Sequence, residues 1–240
     1  MGHYGYKRAW EYEPIRIFKD QHGCLMTGVH TTGNYTYHLK DGKKHREDGP
    51  AVITSTGKRK EWYLNGKRHR KDGPAIEMAN GSTQWFLNGK LHRTDGPAVL
   101  KKNVREYWCN GKQHREDGPA IYKVIMVDGK EVIDEMYVQY WIHGNRHREN
   151  DLPATISGHV RSWWYLGNRH RENDLPAYES GDEHKKWYYK GMLHRINGPA
   201  IKFANGNVSY YYKAVKYSEA DWTQKVRFDK LKSFIEKPNV

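Results

Sequence analysis

Trp62-Tyr63-Leu64-Asn65-Gly66-Lys67-Arg68-His69-Arg70-Lys71-Asp72-Gly73-Pro74-Ala75-Ile76 reads as an aromatic pair, a tight turn, a basic His-Arg corner and the start of an apolar strand. Asn-Gly supplies the positive φ that a two-residue hairpin turn needs. Pro74 has no amide hydrogen, so it suits a strand start or an edge. The aromatics favour strands. The stretch therefore predicts a β-hairpin unit.

The unit recurs. His-Arg appears at His45, His69, His92, His114, His147, His170 and His194, with spacings of 24, 23, 22, 33, 23 and 24 residues. A Gly stands three residues before each His. Aromatic pairs precede six of the seven: Trp62-Tyr63, Trp85-Phe86, Tyr107-Trp108, Tyr140-Trp141, Trp163-Trp164 and Trp187-Tyr188. Asp-Gly-Pro-Ala follows four copies, Asn-Gly-Pro-Ala the last, and Asn-Asp-Leu-Pro-Ala copies five and six. One hairpin cannot bury its own aromatics, so neighbouring copies must stack. The expected fold is an all-β repeat protein, an elongated antiparallel meander ribbon of β-hairpins closed by a C-terminal capping helix.

Three segments depart from the unit. Residues 1–34 read as a degenerate N-terminal copy or cap, ahead of seven repeats over 35–212. The long spacing contains an inserted hairpin at 123–137, turning at Asp128-Gly129. Residues 213–240 change period, with Ser218-Glu219-Ala220-Asp221 resembling a capping box that has Asp in place of Glu. Trp222, Val226, Leu231, Phe234 and Ile235 then recur at helical spacing up to Pro238. A helix there would cover an exposed strand edge.

Composition fits a thin layered structure. The chain has 240 residues with 9 Trp and 18 Tyr against 5 Phe, and only 37% hydrophobic residues. Amphipathic rings would cover the sheet and keep their polar tips wet. The net charge of +13 favours acidic partners. Cys24 and Cys109 make no disulfide framework. No apolar run has transmembrane length and the start lacks a signal-peptide core, so a cytoplasmic setting is expected.

The aromatic–x–Asn-Gly-Lys–x–His pattern, carried best by Trp62 to His69 and Trp85 to His92, resembles the MORN repeat family. It is most similar to the variant MORN-2 class of bacterial and phage proteins, over about residues 35–212. The segment Tyr212 to Ala220 also looks like the ending of phage-encoded members. The chain departs from that pattern with Arg after the His, and with Asp151-Leu152-Pro153 and Asp174-Leu175-Pro176 replacing the Gly-Pro step. The resemblance implies a hairpin scaffold used for binding, in some members resembling antitoxins or immunity proteins, with no shared catalytic residue. A phage origin would place it in the host cytoplasm.

Catalysis needs one unequal arrangement of acid, base and nucleophile, and seven near-identical copies offer none. No enzyme is expected, and no cofactor. Equivalent histidines would stand two strands apart, about 9–10 Å, too far to share a metal ion. His45, His69, His92, His114, His147, His170 and His194 are expected to hydrogen-bond loop carbonyls. Asp48, Asp72, Asp95 and Asp117 are expected to bridge to Arg46, Arg70, Arg93 and Arg115 and fix the loop. The candidate partner-binding residues are those four arginines with Arg148, Arg171 and Arg195, together with Lys67, Arg68, Asp128 and Glu131. Arginine's planar fork suits carboxylate or phosphate.

The function expected is recognition of a macromolecular partner along a basic loop edge and through the inserted hairpin. An acidic protein is the first choice, with the chain acting as an antitoxin, immunity protein or phage counter-defence inhibitor. Two alternatives are phosphate contacts to nucleic acid and a structural or membrane-proximal assembly role. No direct membrane partner is expected.

Overall fold

The computed structural model describes residues 15–181 and 183–235, with side chains up to 230 in the C-terminal helix. The readings placed on residues 1–14, on Pro238 and on the side chains of Leu231, Phe234 and Ile235 lie outside the described residues. The fold is an antiparallel β-meander of repeated units with a single C-terminal helix among the described residues. Two compact units divide it: one runs up to Arg115 and includes Ala120–Ile133, the other takes Glu116–Pro119 and the chain from Asp134.

In the first unit, Gly28–Thr32, Tyr35–Lys40, Val52–Thr54, Arg59–Glu61, Ile76–Met78, Thr83–Gln84, Val99–Lys101, Val104–Glu106 and Ile121–Val127 pair in succession. In the second, residues 137–139 pair with Thr155–Ser157, and the series continues through Val160–Ser162, Tyr178–Ser180, His184–Lys186, Ile201–Lys202, Val208–Tyr212 and Val215–Tyr217.

Asn80-Gly81 and Asn205-Gly206 join successive meander strands, but the Asn-Gly turns ahead of the His-Arg corners do not. The latter close separate two-stranded hairpins, such as Tyr63–Leu64 with Lys67–Arg68 and Phe86–Leu87 with Lys90–Leu91. Each repeat thus contributes two hairpins where the sequence suggested one. The first aromatic of each pair makes the corner: Trp62 donates its amide to the Ala75 carbonyl, and Trp85 to that of Ala98. Bonded there, the chain leaves the meander and enters the side hairpin. Asn65 (φ 48°) and Gly66 (φ 81°) supply the left-handed turn. Side hairpins join through their turns, Gly89 donating to the Arg68 carbonyl at 2.8 Å and Gly111 to that of Leu91 at 2.8 Å.

The core lies between meander and side hairpins. Ala75, Ile76, Ala98 and Val99 from one layer meet Phe86, Leu91 and Trp108 from the other. The alanine after each proline is fully buried, which explains its recurrence from Ala51 to Ala200. Polar tips of the aromatics are not kept wet throughout, as composition had suggested. Tyr63 Oη donates to Glu61 at 2.8 Å and Trp108 Nε1 to Glu106 at 3.1 Å, both inside the core. Each acceptor ends a meander strand two residues before its aromatic, which begins the side hairpin across the corner.

The leading segment starts the same pattern early. A bridge between Lys19 and Leu25 precedes the Gly28–Thr32 strand, and Gly42 donates to the Met26 carbonyl at 2.7 Å. Between the strands Ile121–Val127 and Lys130–Gln139, Asp128 (φ 50°) and Gly129 (φ 74°) form the inserted turn. The helix Glu219–Ile235 begins at Ser218, whose Oγ accepts the Asp221 amide at 3.2 Å and donates to the Asp221 carboxylate at 2.7 Å. It seats Trp222 against Tyr210, ring centroids 5.0 Å apart, and buries Val226. Among the described residues no helix is long and apolar enough to cross a membrane.

Candidate functional site: the His-Arg loops and an exposed lysine row

The repeated histidines accept, where the sequence reading had them bonding to carbonyls. Nδ1 of His45, His69 and His92 takes the backbone amide of Asn65, Asn88 and Asn110 at 3.1 Å each. His147 and His170 do the same for Leu166 and Lys190 at 3.4 Å, and His194 for Lys213 at 3.1 Å. The amide belongs in every case to the left-handed residue of the next turn, which cannot bond within its own short hairpin. Each of these imidazoles couples one copy to the next. His114 also has interactions of its own.

The repeated arginines lie flat on the first aromatic of their copy. Arg70 stands 4.2 Å from the Trp62 ring centroid, Arg93 4.1 Å from Trp85 and Arg115 4.2 Å from Tyr107. Arg148, Arg171 and Arg195 stand 3.8, 3.9 and 3.9 Å from Tyr140, Trp163 and Trp187. The first copy has His38 in place of the aromatic, and Arg46 Nη1 lies 3.0 Å from its Nε2. Arg70, Arg93, Arg148, Arg171 and Arg195 also donate to the carbonyl of the following proline, at 3.2 to 3.4 Å.

Arg46 meets Asp48 at 2.8 Å, Arg70 meets Asp72 at 3.5 Å and Arg93 meets Asp95 at 2.8 Å, as the spacing suggested. Arg115 and Asp117 also have interaction partners. Copies five and six pair differently: Asp151 reaches forward to Arg171 and Asp174 to Arg195, each through two oxygens at 2.7–2.8 Å. In these copies a five-residue loop carries two successive left-handed residues, Asn150-Asp151 and Asn173-Asp174.

The remaining candidates separate into two groups. Arg68 is enclosed between Tyr63 and Phe86 and ion-paired to Glu61 at 3.2 Å. Glu131 is ion-paired to Arg105. Asp128 and Lys67 are exposed. Lys67 belongs to a row: the turn glycine of the next hairpin, Gly89, packs on its stem, and Gly111 packs on that of Lys90. Lys67, Lys90 and Lys112 therefore follow one another at the repeat step, about 9–10 Å for two strands.

Sequence reasoning missed how unevenly the charge is spread. Between Lys58 and Arg115 fourteen Lys and Arg stand against five Asp and Glu, an excess of nine out of the chain's +13. Seven lysines in this stretch, Lys58, Lys60, Lys67, Lys71, Lys90, Lys102 and Lys112, are exposed. Among the described residues none of them has an ion-pair partner. Counting charge by copy rather than by chain would have found this.

The loops also set an acid response. Burial, then neighbouring cations, lowers the pKa of His38 (beside Arg46), His184 (beside Lys186) and His194 (beside Lys213). A lowered histidine contributes stability that is complete above the unfolded pKa, about 6.5, and is lost as pH falls through the folded value. Asp151 and Asp174, held down chiefly by hydrogen bonds from Arg171 and Arg195, lose theirs below about pH 4. Melting temperature measured from pH 8 to 3 should therefore fall in two stages, the first beginning near pH 6.5.

No family model matches the sequence, and no curated protein or solved structure matches it either.

Proposed function

We propose that the chain is a non-enzymatic binding module for an acidic protein, with a lysine-rich contact on the first unit. The observation that carries this is the set of seven exposed lysines between Lys58 and Lys112 that have no ion-pair partner among the described residues. Three of them, Lys67, Lys90 and Lys112, form the row on the side hairpins, where unneutralised like charges repel each other and an acidic partner relieves that repulsion while steering its own approach. The scaffold leaves the lysines available because the repeated arginines are already engaged with rings, carbonyls and carboxylates.

The inserted turn favours protein over nucleic acid. Ile125, Met126, Val127, Val132 and Ile133 are 37–64% exposed around Asp128-Gly129. Apolar side chains gathered in this way suit a protein interface, which buries them, and add little to phosphate contacts. The resemblance to variant MORN repeats supports the same reading, and inhibition of the partner, as by an antitoxin, immunity protein or phage counter-defence protein, is the mode it suggests. A cytoplasmic setting goes with it.

The test is a pull-down from host lysate, with and without nuclease, comparing the chain with a Lys67→Glu, Lys90→Glu, Lys112→Glu variant. The expected result is a protein retained after nuclease and released by the triple variant. Loss of the partner on nuclease treatment would move the reading to nucleic acid. Equal retention by both chains would overturn the lysine row as the contact.

A further inference from the structure

Three arginines of the second unit share one pose and differ in one respect. Arg148, Arg171 and Arg195 each stack on an aromatic ring at 3.8–3.9 Å. Each gives Nη1 to a proline carbonyl, at 3.2, 3.3 and 3.4 Å. In Arg171 and Arg195 the other edge of the guanidinium, Nε with Nη2, grips an aspartate through two parallel bonds. Arg148 has no carboxylate there. Among the described residues neither its Nε nor its Nη2 meets an acceptor, and neither nitrogen is sealed from solvent.

The vacancy follows from how pairing changes along the chain. Arg46, Arg70 and Arg93 draw on an aspartate two residues ahead in their own loop. The five-residue loop of copy five turns Asp151 forward to Arg171, and copy six sends Asp174 to Arg195. Arg171 also loses the carboxylate of its own loop but receives Asp151 in exchange, whereas among the described residues Arg148 receives none. Its guanidinium nevertheless holds the same pose as the other two, stacked on Tyr140 and bonded to the Pro153 carbonyl, and its backbone amide meets the Trp164 carbonyl at 3.4 Å.

We propose that Arg148 is a preorganised receptor for one carboxylate side chain of an acidic protein partner. Nε and Nη2 would hold it as Arg171 holds Asp151. This deepens the acidic-partner reading and rests on it for the identity of the ligand's owner. A planar two-oxygen acceptor matches the fork, and little ordering remains to be done on binding. Glu149, exposed beside the site and 3.7 Å from His147, disfavours a dianionic phosphate more than a monoanionic carboxylate.

Side-chain NMR of the arginine Nε–Hε groups tests the site, with acetate and inorganic phosphate as separate probes. The expected result is a saturable downfield shift of the Arg148 signal with acetate, while the occupied Arg171 and Arg195 signals stay still. An Arg148 signal that does not move, that moves in parallel with every accessible arginine, or that saturates with phosphate alone would overturn the carboxylate receptor. A peptide of eight glutamates then separates this site from the lysine surface. Arg148→Lys keeps the charge and loses the fork, and should weaken the peptide roughly five-fold. Unchanged affinity in that variant overturns the docking role of Arg148 even if the Lys67, Lys90, Lys112 variant loses the peptide. The reverse pattern would remove the lysine row and leave the receptor standing.

Discussion

A triple variant with Arg70, Arg93 and Arg115 changed to Ala is expected to lose about 3–5 kcal/mol of stability, or to fail to accumulate as folded protein. Each side chain stacks on an aromatic at 4.1–4.2 Å. Such a partly desolvated contact contributes about 1 kcal/mol. Arg70 and Arg93 add a charge-assisted bond to a proline carbonyl. The exposed partners Asp72 and Asp95 add little, because solvent screens those pairs. Urea denaturation gives the answer directly. A variant that unfolds at the wild-type midpoint would return these arginines to the binding surface, where the sequence first placed them.

The second large effect is expected at Glu61. Its carboxylate is buried and accepts from Tyr63 Oη at 2.8 Å, Arg59 at 2.6 Å and Arg68 at 3.2 Å. Burial alone would raise its pKa, but the Arg68 charge, the Tyr63 hydroxyl and Arg59 together bring it below the ordinary value. Glu61→Gln keeps the volume and removes the negative charge that Arg68 and Arg59 meet. Breaking a buried pair from one side costs about 3 kcal/mol. The contribution is complete above the usual glutamate pKa and disappears as pH falls through the lowered one. At pH 3 the variant and the wild type should therefore differ much less than at pH 7. An equal difference at both values would mean that the lost interaction is not ionic.

Why was the repeat legible while part of its wiring was not? The period, the turn positions and the terminal helix are local signals, carried by Gly, Asn-Gly, Pro and Ser218 through backbone angles and capping. The number of hairpins per copy was missed, because the amide of Trp62 leaves the meander for a carbonyl thirteen residues on. Nothing in Trp62-Tyr63 itself marks that corner. The histidines were placed in the loop correctly, yet their partner is an amide one copy away. A left-handed turn residue such as Asn65 has an amide to satisfy, and only the stacked geometry says which ring satisfies it. The forward pairing of Asp151 was likewise hidden, since Asn150-Asp151 had to be known as consecutive left-handed residues before the carboxylate could be aimed. Glu61 and Glu106 could have been found: an acid two residues before a donor-bearing aromatic recurs in two copies, as Glu61-Trp62-Tyr63 and Glu106-Tyr107-Trp108.

The two styles of aspartate pairing give the copies different freedom to be duplicated or exchanged during descent. A copy whose aspartate serves its own arginine, such as that of Arg93 and Asp95, is electrically self-contained. It can be gained or lost without stranding a charge. Copies five to seven form a relay in which Asp151 and Asp174 each need the arginine of the following copy, so they can be moved only as a block. Excising the seventh copy would leave Asp174 facing nothing.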